Sequence, residues 1–163
     1  MKQLFLISMA AVLFNTALAY AENTDPGSVL FQRCAACHQT DGQGIPGAFP
    51  PLKNNIANIA ATDLGRIYLV SVINAGLIGP ISVGDTTYMG VMPAQGSAFD
   101  DQEVSDLLNY SVQVLDAKQA ASQWKPYTAK EVAGIKAALS QNSAAHSASL
   151  RKTLTETSPQ LFK

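Results

Sequence analysis

Both cysteines of the 163-residue chain and one of its two histidines stand within five residues, Cys34-Ala-Ala-Cys37-His38. Two thiols and an imidazole so placed could form a disulfide, ligate a metal, cycle as a redox dithiol or hold a cofactor covalently. A disulfide between residues three apart closes a loop too small to remove much entropy from the unfolded chain, so it would staple nothing. A structural zinc ion wants four ligands, and with two cysteines the set would need both His38 and the distant His146. A thioredoxin-like dithiol follows a strand in a βαβ setting, and no strand pattern precedes Cys34. The fourth chemistry suits the spacing, because Cys-x-x-Cys-His is the attachment pattern of c-type haem. Residues three apart on a helical turn project to the same side, so both sulfurs can meet the vinyl groups of one porphyrin edge. His38, four residues after Cys34, then lies beneath the iron.

The same stretch contains a decoy. Gly42, Gly44 and Gly47 match the G-x-G-x-x-G spacing of dinucleotide-binding loops, yet no strand precedes them and Pro46 stands where the phosphate-binding helix should open. These glycines are better read as places where backbone passes close to a flat ligand, with Pro50 and Pro51 stiffening the far side. A haem iron held by His38 has a further axial position, for which Met89, Met92 and His146 are the candidate donors. Met92 lies in Gly90-Val-Met-Pro-Ala-Gln-Gly96, a constrained extended loop able to face the iron. Met89 reads as a packing residue beside the haem, and His146 as a solvated residue of the carboxy-terminal part.

Helices must place these groups. Asp25 followed by Pro26 reads as an N-cap and first helical residue, and on the helix that follows Leu30, Cys34 and Cys37 share a face. The proline and glycine density of residues 41–60 predicts a long ordered loop rather than regular structure. Leu64, Ile67, Tyr68, Ser71 and Val72 recur at helical spacing, with Asn74 and Gly76 ending that helix. Gly84-Asp85 between two short β-prone runs predicts a small hairpin or loop, too short to found a sheet. Asp100 and Glu103 form an acidic capping box ahead of the stripe Val104, Leu107, Leu108, Ser111, Val112 and Leu115. Thr128 and Glu131 repeat that signal before a shorter peripheral helix through Leu139. Beyond it, the Ser, Ala, Thr and Gln composition predicts a mobile tail.

The first residues carry Lys2, an apolar run from Leu4 to Phe14 and small-residue cleavage patterns at residues 17–19 and 19–21, the form of an export signal and too short for a membrane span. The expected organisation is a signal peptide over 1–21, a haem-bearing domain over 22–116, a peripheral helical extension over 117–140 and a flexible tail over 141–163. Localisation in the periplasm follows from export, with no transmembrane segment after cleavage. The formal net charge is −1, which offers nothing to nucleic acid. It hides a split. Residues 22–116 carry three basic against ten acidic side chains, and residues 117–163 seven against two. The acidic part would suit partner docking that weakens with salt, and the basic part could fold back on it or reach toward a partner.

"GSVLFQRCAACHQTDGQGIPGAFPPLKNN" and "YMGVMPAQGSAFDDQEVSDLLNY" together resemble the two halves of the class I cytochrome c family, over about residues 26–112. The resemblance implies an all-α, cytochrome c-like fold around one covalently bound haem c. It implies Cys34 and Cys37 as thioether sites, His38 as proximal ligand and Met92 as distal ligand. It further implies that Gly27 and Phe31 cross Leu107 and Tyr110, and that the carbonyl of Pro50 or Pro51 accepts a hydrogen bond from the ligand histidine. The "GIPGAFPPL" and "GVMP" loops look most like cytochromes that serve periplasmic dehydrogenases and oxidases. The expected function is single-electron transfer between redox proteins, such as a dehydrogenase, an oxidase or another cytochrome, with no catalytic residue of its own. A dedicated subunit of a dehydrogenase complex is the alternative. A haem enzyme or gas-ligand binder with a labile sixth ligand ranks below both. From Lys118 onward the chain exceeds a minimal cytochrome c, and the family pattern is silent on Trp124 and the tail.

Overall fold

A computed structural model describes residues 25–117, 124–139 and 142–162; the expected signal peptide lies outside the described residues. Helix α1, Pro26–His38, starts as its sequence requires. The Asp25 carboxylate accepts the Gly27 amide at 2.8 Å, and Pro26 occupies a position whose amide would be unsatisfied anyway. Gln39, at φ 65°, ends it. The loop that follows is mostly irregular, as expected, but it closes with a short helix, α2, Ile56–Ala60. The buried carboxylate of Asp116 accepts the amides of Asn54 at 2.8 Å and Ala57 at 3.0 Å, satisfying the start of that helix from across the fold.

Helix α3, Asp63–Ala75, is capped by Thr62 and buried on most sides, from Tyr68 to Ile73. It stops at Gly76, whose φ of 80° suits glycine. The chain then forms strands β1, Leu77–Val83, and β2, Thr86–Met92, paired antiparallel across the two-residue turn Gly84-Asp85. Gly84, at φ 55°, supplies the left-handed residue that such a turn needs. The hairpin is longer than the sequence suggested and reaches Met92, which therefore sits at a strand end opposite Leu77 rather than on the constrained extended loop expected.

Helix α4, Asp101–Tyr110, opens on the expected capping box and widens into a π-helical turn over Ser111–Leu115. It crosses α1 so closely that a β-carbon on Gly27 would lie inside the contact distance of the Asp106 carbonyl oxygen and the Tyr110 side chain. Phe31, fully buried, meets Tyr110 with ring centroids 5.5 Å apart. Side-chain-free approach at one residue and aromatic contact at the next turn are what lock the two halves of the chain together.

The carboxy-terminal part departs from expectation. Helix α5, Ala129–Ala138, begins at Thr128 as anticipated and packs on α3 and α4. The stretch 141–163, expected to be a mobile tail, instead carries helix α6, Ala144–Thr157, and a 3-10 turn, Pro159–Phe162. Its composition is polar, but its few apolar residues are concentrated where they count: Leu154, Leu161 and Phe162 enter the core. Arg151 is buried with its guanidinium over the Phe162 ring. The basic part folds back on the acidic one. Lys136 pairs with Asp101 at 2.7 Å, and Glu131 pairs with the buried Arg66. Among the described residues no helix is long and apolar enough to cross a membrane.

Candidate functional site

A cleft with about 830 Å³ of space between its atoms, open mouth included, runs between α1, the 48–50 segment and the hairpin. From α1 it receives Cys34, Cys37 and His38, and from the hairpin and its exit Met92 and Pro93. Helical spacing puts the two thiols one turn apart on the same face, and strand alternation turns Met92 inward along with Tyr88 and Gly90. Their cross-strand partners Leu77, Ile81 and Gly79 line the same cleft. The wall is thus apolar at both ends and bare in the middle, where Gly79 stands directly opposite Gly90. A β-carbon at Gly79 would meet nothing, and one at Gly90 only the Ala48 carbonyl oxygen at 4.0 Å. The space is reserved for something flat that lies against backbone.

His38 Nδ1 donates to the Pro50 carbonyl oxygen at 2.8 Å. A carbonyl can only accept, so the bond fixes the tautomer: the proton sits on Nδ1 and the lone pair of Nε2 is free for a metal. Burial pulls the His38 pKa below its ordinary value, against the raising effect of the Pro50 bond, which keeps the ring neutral as a ligand must be. Burial likewise pushes the Cys34 thiol up, with the neighbouring Arg33 opposing it. The Pro50 carbonyl is held by the loop itself. Gly44, at φ 66°, donates its amide to His38 O at 2.9 Å and presses against the carbonyls of Phe49 and Pro50, with room for no β-carbon.

All four residues expected to hold the cofactor, Cys34, Cys37, His38 and Met92, line this one cleft, and of the two prolines considered it is Pro50 that meets the histidine. The donor set, the tautomer and the bare wall fit a covalently attached haem. Met89 does not pack beside it: paired with Pro80, it lies on the outer face of the hairpin and is 71% exposed, because residues one apart on a strand point to opposite faces. His146 lies on α6 beside a separate groove with Ile67, Glu131 and Ile135, so the zinc set of His38 and His146 is not assembled. Leu77, Gly79, Ile81, Tyr88 and Gly90 were missed as cleft residues. The Gly84-Asp85 turn was the available signal, since it fixes the register that sets Gly79 against Gly90.

Comparison with known proteins gives a coherent result. Residues 24–114 match the family model described as Cytochrome c. The chain is 40% identical over 126 residues to cytochrome c-552 of Thermus thermophilus, covering 77% of this chain and 82% of that protein. A second Thermus thermophilus cytochrome c-552 is also 40% identical, over 111 residues, covering 68% of this chain and 84% of that one. The cytochrome c subunit of the quinone alcohol dehydrogenase of Gluconobacter oxydans is 30% identical over 82 residues, which is 50% of this chain but 16% of that subunit.

Proposed function

Because this chain belongs to the cytochrome c family, whose members carry one covalently attached haem c, we propose that it shuttles single electrons between redox proteins of the periplasm. In this reading Cys34 and Cys37 form the thioether links, His38 Nε2 is the proximal ligand and the Met92 thioether the distal one. One observation carries it: both thiols, an imidazole whose tautomer is set by the Pro50 carbonyl, and Met92 line a single apolar cleft. The cofactor supplies a one-electron couple when bound. Everything else is the chain's work, done by excluding water and by holding the two donors. An imidazole paired with a thioether favours the ferrous state and raises the potential. With both donors engaged there is no position for a substrate, which suits a carrier rather than an enzyme.

The test is the mass and visible spectrum of the mature protein made in a host that performs haem ligation. The mass should exceed that of the polypeptide by one haem, and the oxidised protein should show the far-red thioether-to-iron band. Met92→Ala should lose that band and admit carbon monoxide in the ferrous form. A polypeptide mass without the increment removes the proposal, and a band that survives Met92→Ala removes Met92.

Similarity to a dehydrogenase-associated cytochrome subunit favours a second reading, in which the chain serves one dehydrogenase as a dedicated subunit. Stable co-purification with such an enzyme would select it over the free carrier.

A further inference from the structure

The hairpin that carries Met92 is not self-supporting. A two-stranded hairpin alone is marginal in water, and this one presents an inner face with two glycines in its middle and an exposed outer face bearing Ile78, Met89 and Val91. Its base is fixed by α3. Gly76 lies against the Met92 carbonyl with no room for a β-carbon, Gln95 N donates to Ile73 O at 2.8 Å, and Gly96 N donates to Asn74 O at 3.2 Å. Its tip would be free were it not for the carboxy-terminal segment. Arg151 Nη2 on α6 donates to Ser82 O at 2.7 Å, and the Phe162 carbonyl accepts from Gly84 N at 2.7 Å. Both contacts land within two residues of the turn, at the end of the hairpin remote from Met92.

The two tethers are one device. Arg151 is 7% exposed, and its guanidinium carbon stands 3.4 Å from the centroid of the Phe162 ring. The cation therefore orders the same 3-10 turn whose last carbonyl meets Gly84. Phe162 and Leu161 are buried, as is Leu154 one turn along α6 from Arg151. The Tyr68 phenol of α3 lies against the same guanidinium, and burial keeps it in its neutral form.

We infer that Arg151 is a positioning residue for the distal iron ligand: by strapping the hairpin tip to the Phe162 turn it holds the wall that carries Met92 closed over the cleft. The inference rests on the assignment of Met92 as ligand. Release of the tip leaves the hairpin hinged at Gly76 and at Gln95-Gly96, and a wall so hinged opens without unfolding the helices that carry Cys34, Cys37 and His38. The Ser82 carbonyl requires a donor of fixed direction, and the Phe162 ring a flat cation stacked on it, which is why lysine would serve only in part.

The experiment compares carbon monoxide capture by the ferrous haem-bearing protein, together with the far-red band of the ferric protein, in wild type, Arg151→Met, Arg151→Lys, Phe162→Ala and Glu131→Gln. Glu131 belongs to the extension too but touches α3, not the hairpin. Arg151→Met is expected to capture carbon monoxide about ten- to a hundredfold faster, the equilibrium equivalent of one charge-assisted hydrogen bond, while circular dichroism shows its helices intact. Arg151→Lys should fall between it and wild type. Phe162→Ala, which keeps every charge, should move in the same direction and decides the matter if Arg151→Met does not fold. Glu131→Gln should lose stability with capture unchanged. The inference is overturned if folded Arg151→Met or Phe162→Ala captures carbon monoxide at the wild-type rate, or if Glu131→Gln accelerates capture equally. Wild type lacking the far-red band would be a different failure, that of the Met92 assignment itself.

Discussion

Gly44 and Pro50 touch backbone to backbone beneath the imidazole of His38, with the Pro50 carbonyl receiving the Nδ1 proton at 2.8 Å. In Gly44→Ala the new methyl group would meet the Phe49 and Pro50 carbonyls in a residue already held at φ 66°. The segment must move, and the histidine bond with it. With His38 as the proposed iron ligand, loss of that bond makes the ring a weaker donor to ferric iron, so the reduction potential should rise. Stability should fall by about 1–3 kcal/mol from left-handed strain. Protein-film voltammetry checks the first and urea unfolding the second; an unchanged potential would mean that another acceptor replaces Pro50.

The crossing of α1 and α4 gives a second test. Gly27→Val puts a branched side chain between helices that leave no space at that point. The expected cost is about 1–3 kcal/mol or more from overpacking, seen as a lower urea midpoint with an unaltered slope. Gly134→Ala, on α5 with open space around it, serves as the control and should be neutral or slightly stabilising.

Acid should weaken the contact between the extension and α3. Arg66 reaches Glu131 through two hydrogen bonds, Nε to Oε1 at 2.6 Å and Nη2 to Oε2 at 2.8 Å. These bonds hold the Glu131 pKa below its ordinary value near 4.5. A carboxyl with a depressed folded pKa stabilises the fold fully above its unfolded pKa and loses that contribution as pH falls through the folded one. Wild type should therefore exceed Glu131→Gln by about 1.5–3 kcal/mol at neutral pH, and the difference should shrink progressively below about pH 4.5. Chemical unfolding from neutral pH into the acid range measures it. A gap that stays constant on acidification would assign the effect to packing instead.

The legible part of this molecule was the part whose physics is local. The shared helix face of Cys34, Cys37 and His38 depends on their spacing along one turn, and capping signals such as Asp25-Pro26 and Asp100 with Glu103 act within a few residues, so all of these could be read directly. Choosing between Pro50 and Pro51, or placing Met89, required knowing which way each group faces. That is set by loop closure through Gly44 and by strand register, neither of which shows in composition. The carboxy-terminal helix was hidden for another reason. Average polarity suggested disorder, yet Ser143 accepts the His146 amide as an N-cap, and order comes from a handful of residues, Arg151, Leu154, Leu161 and Phe162, that find partners far away in sequence.

Arg66 reaches across the limit of the family model. It is 3% exposed, and of its side-chain hydrogen-bond and ring partners among the described residues only the Ala60 carbonyl precedes residue 117; the Glu131 carboxylate, the Lys125 carbonyl and the Tyr127 ring all come from beyond the region matched by the family model, which ends at residue 114. A chain cut at that limit would keep every residue proposed to hold the haem and strand a guanidinium on an opened flank. The region matched by the family model and the unit that shares one packed core are therefore different objects, and the second is the larger.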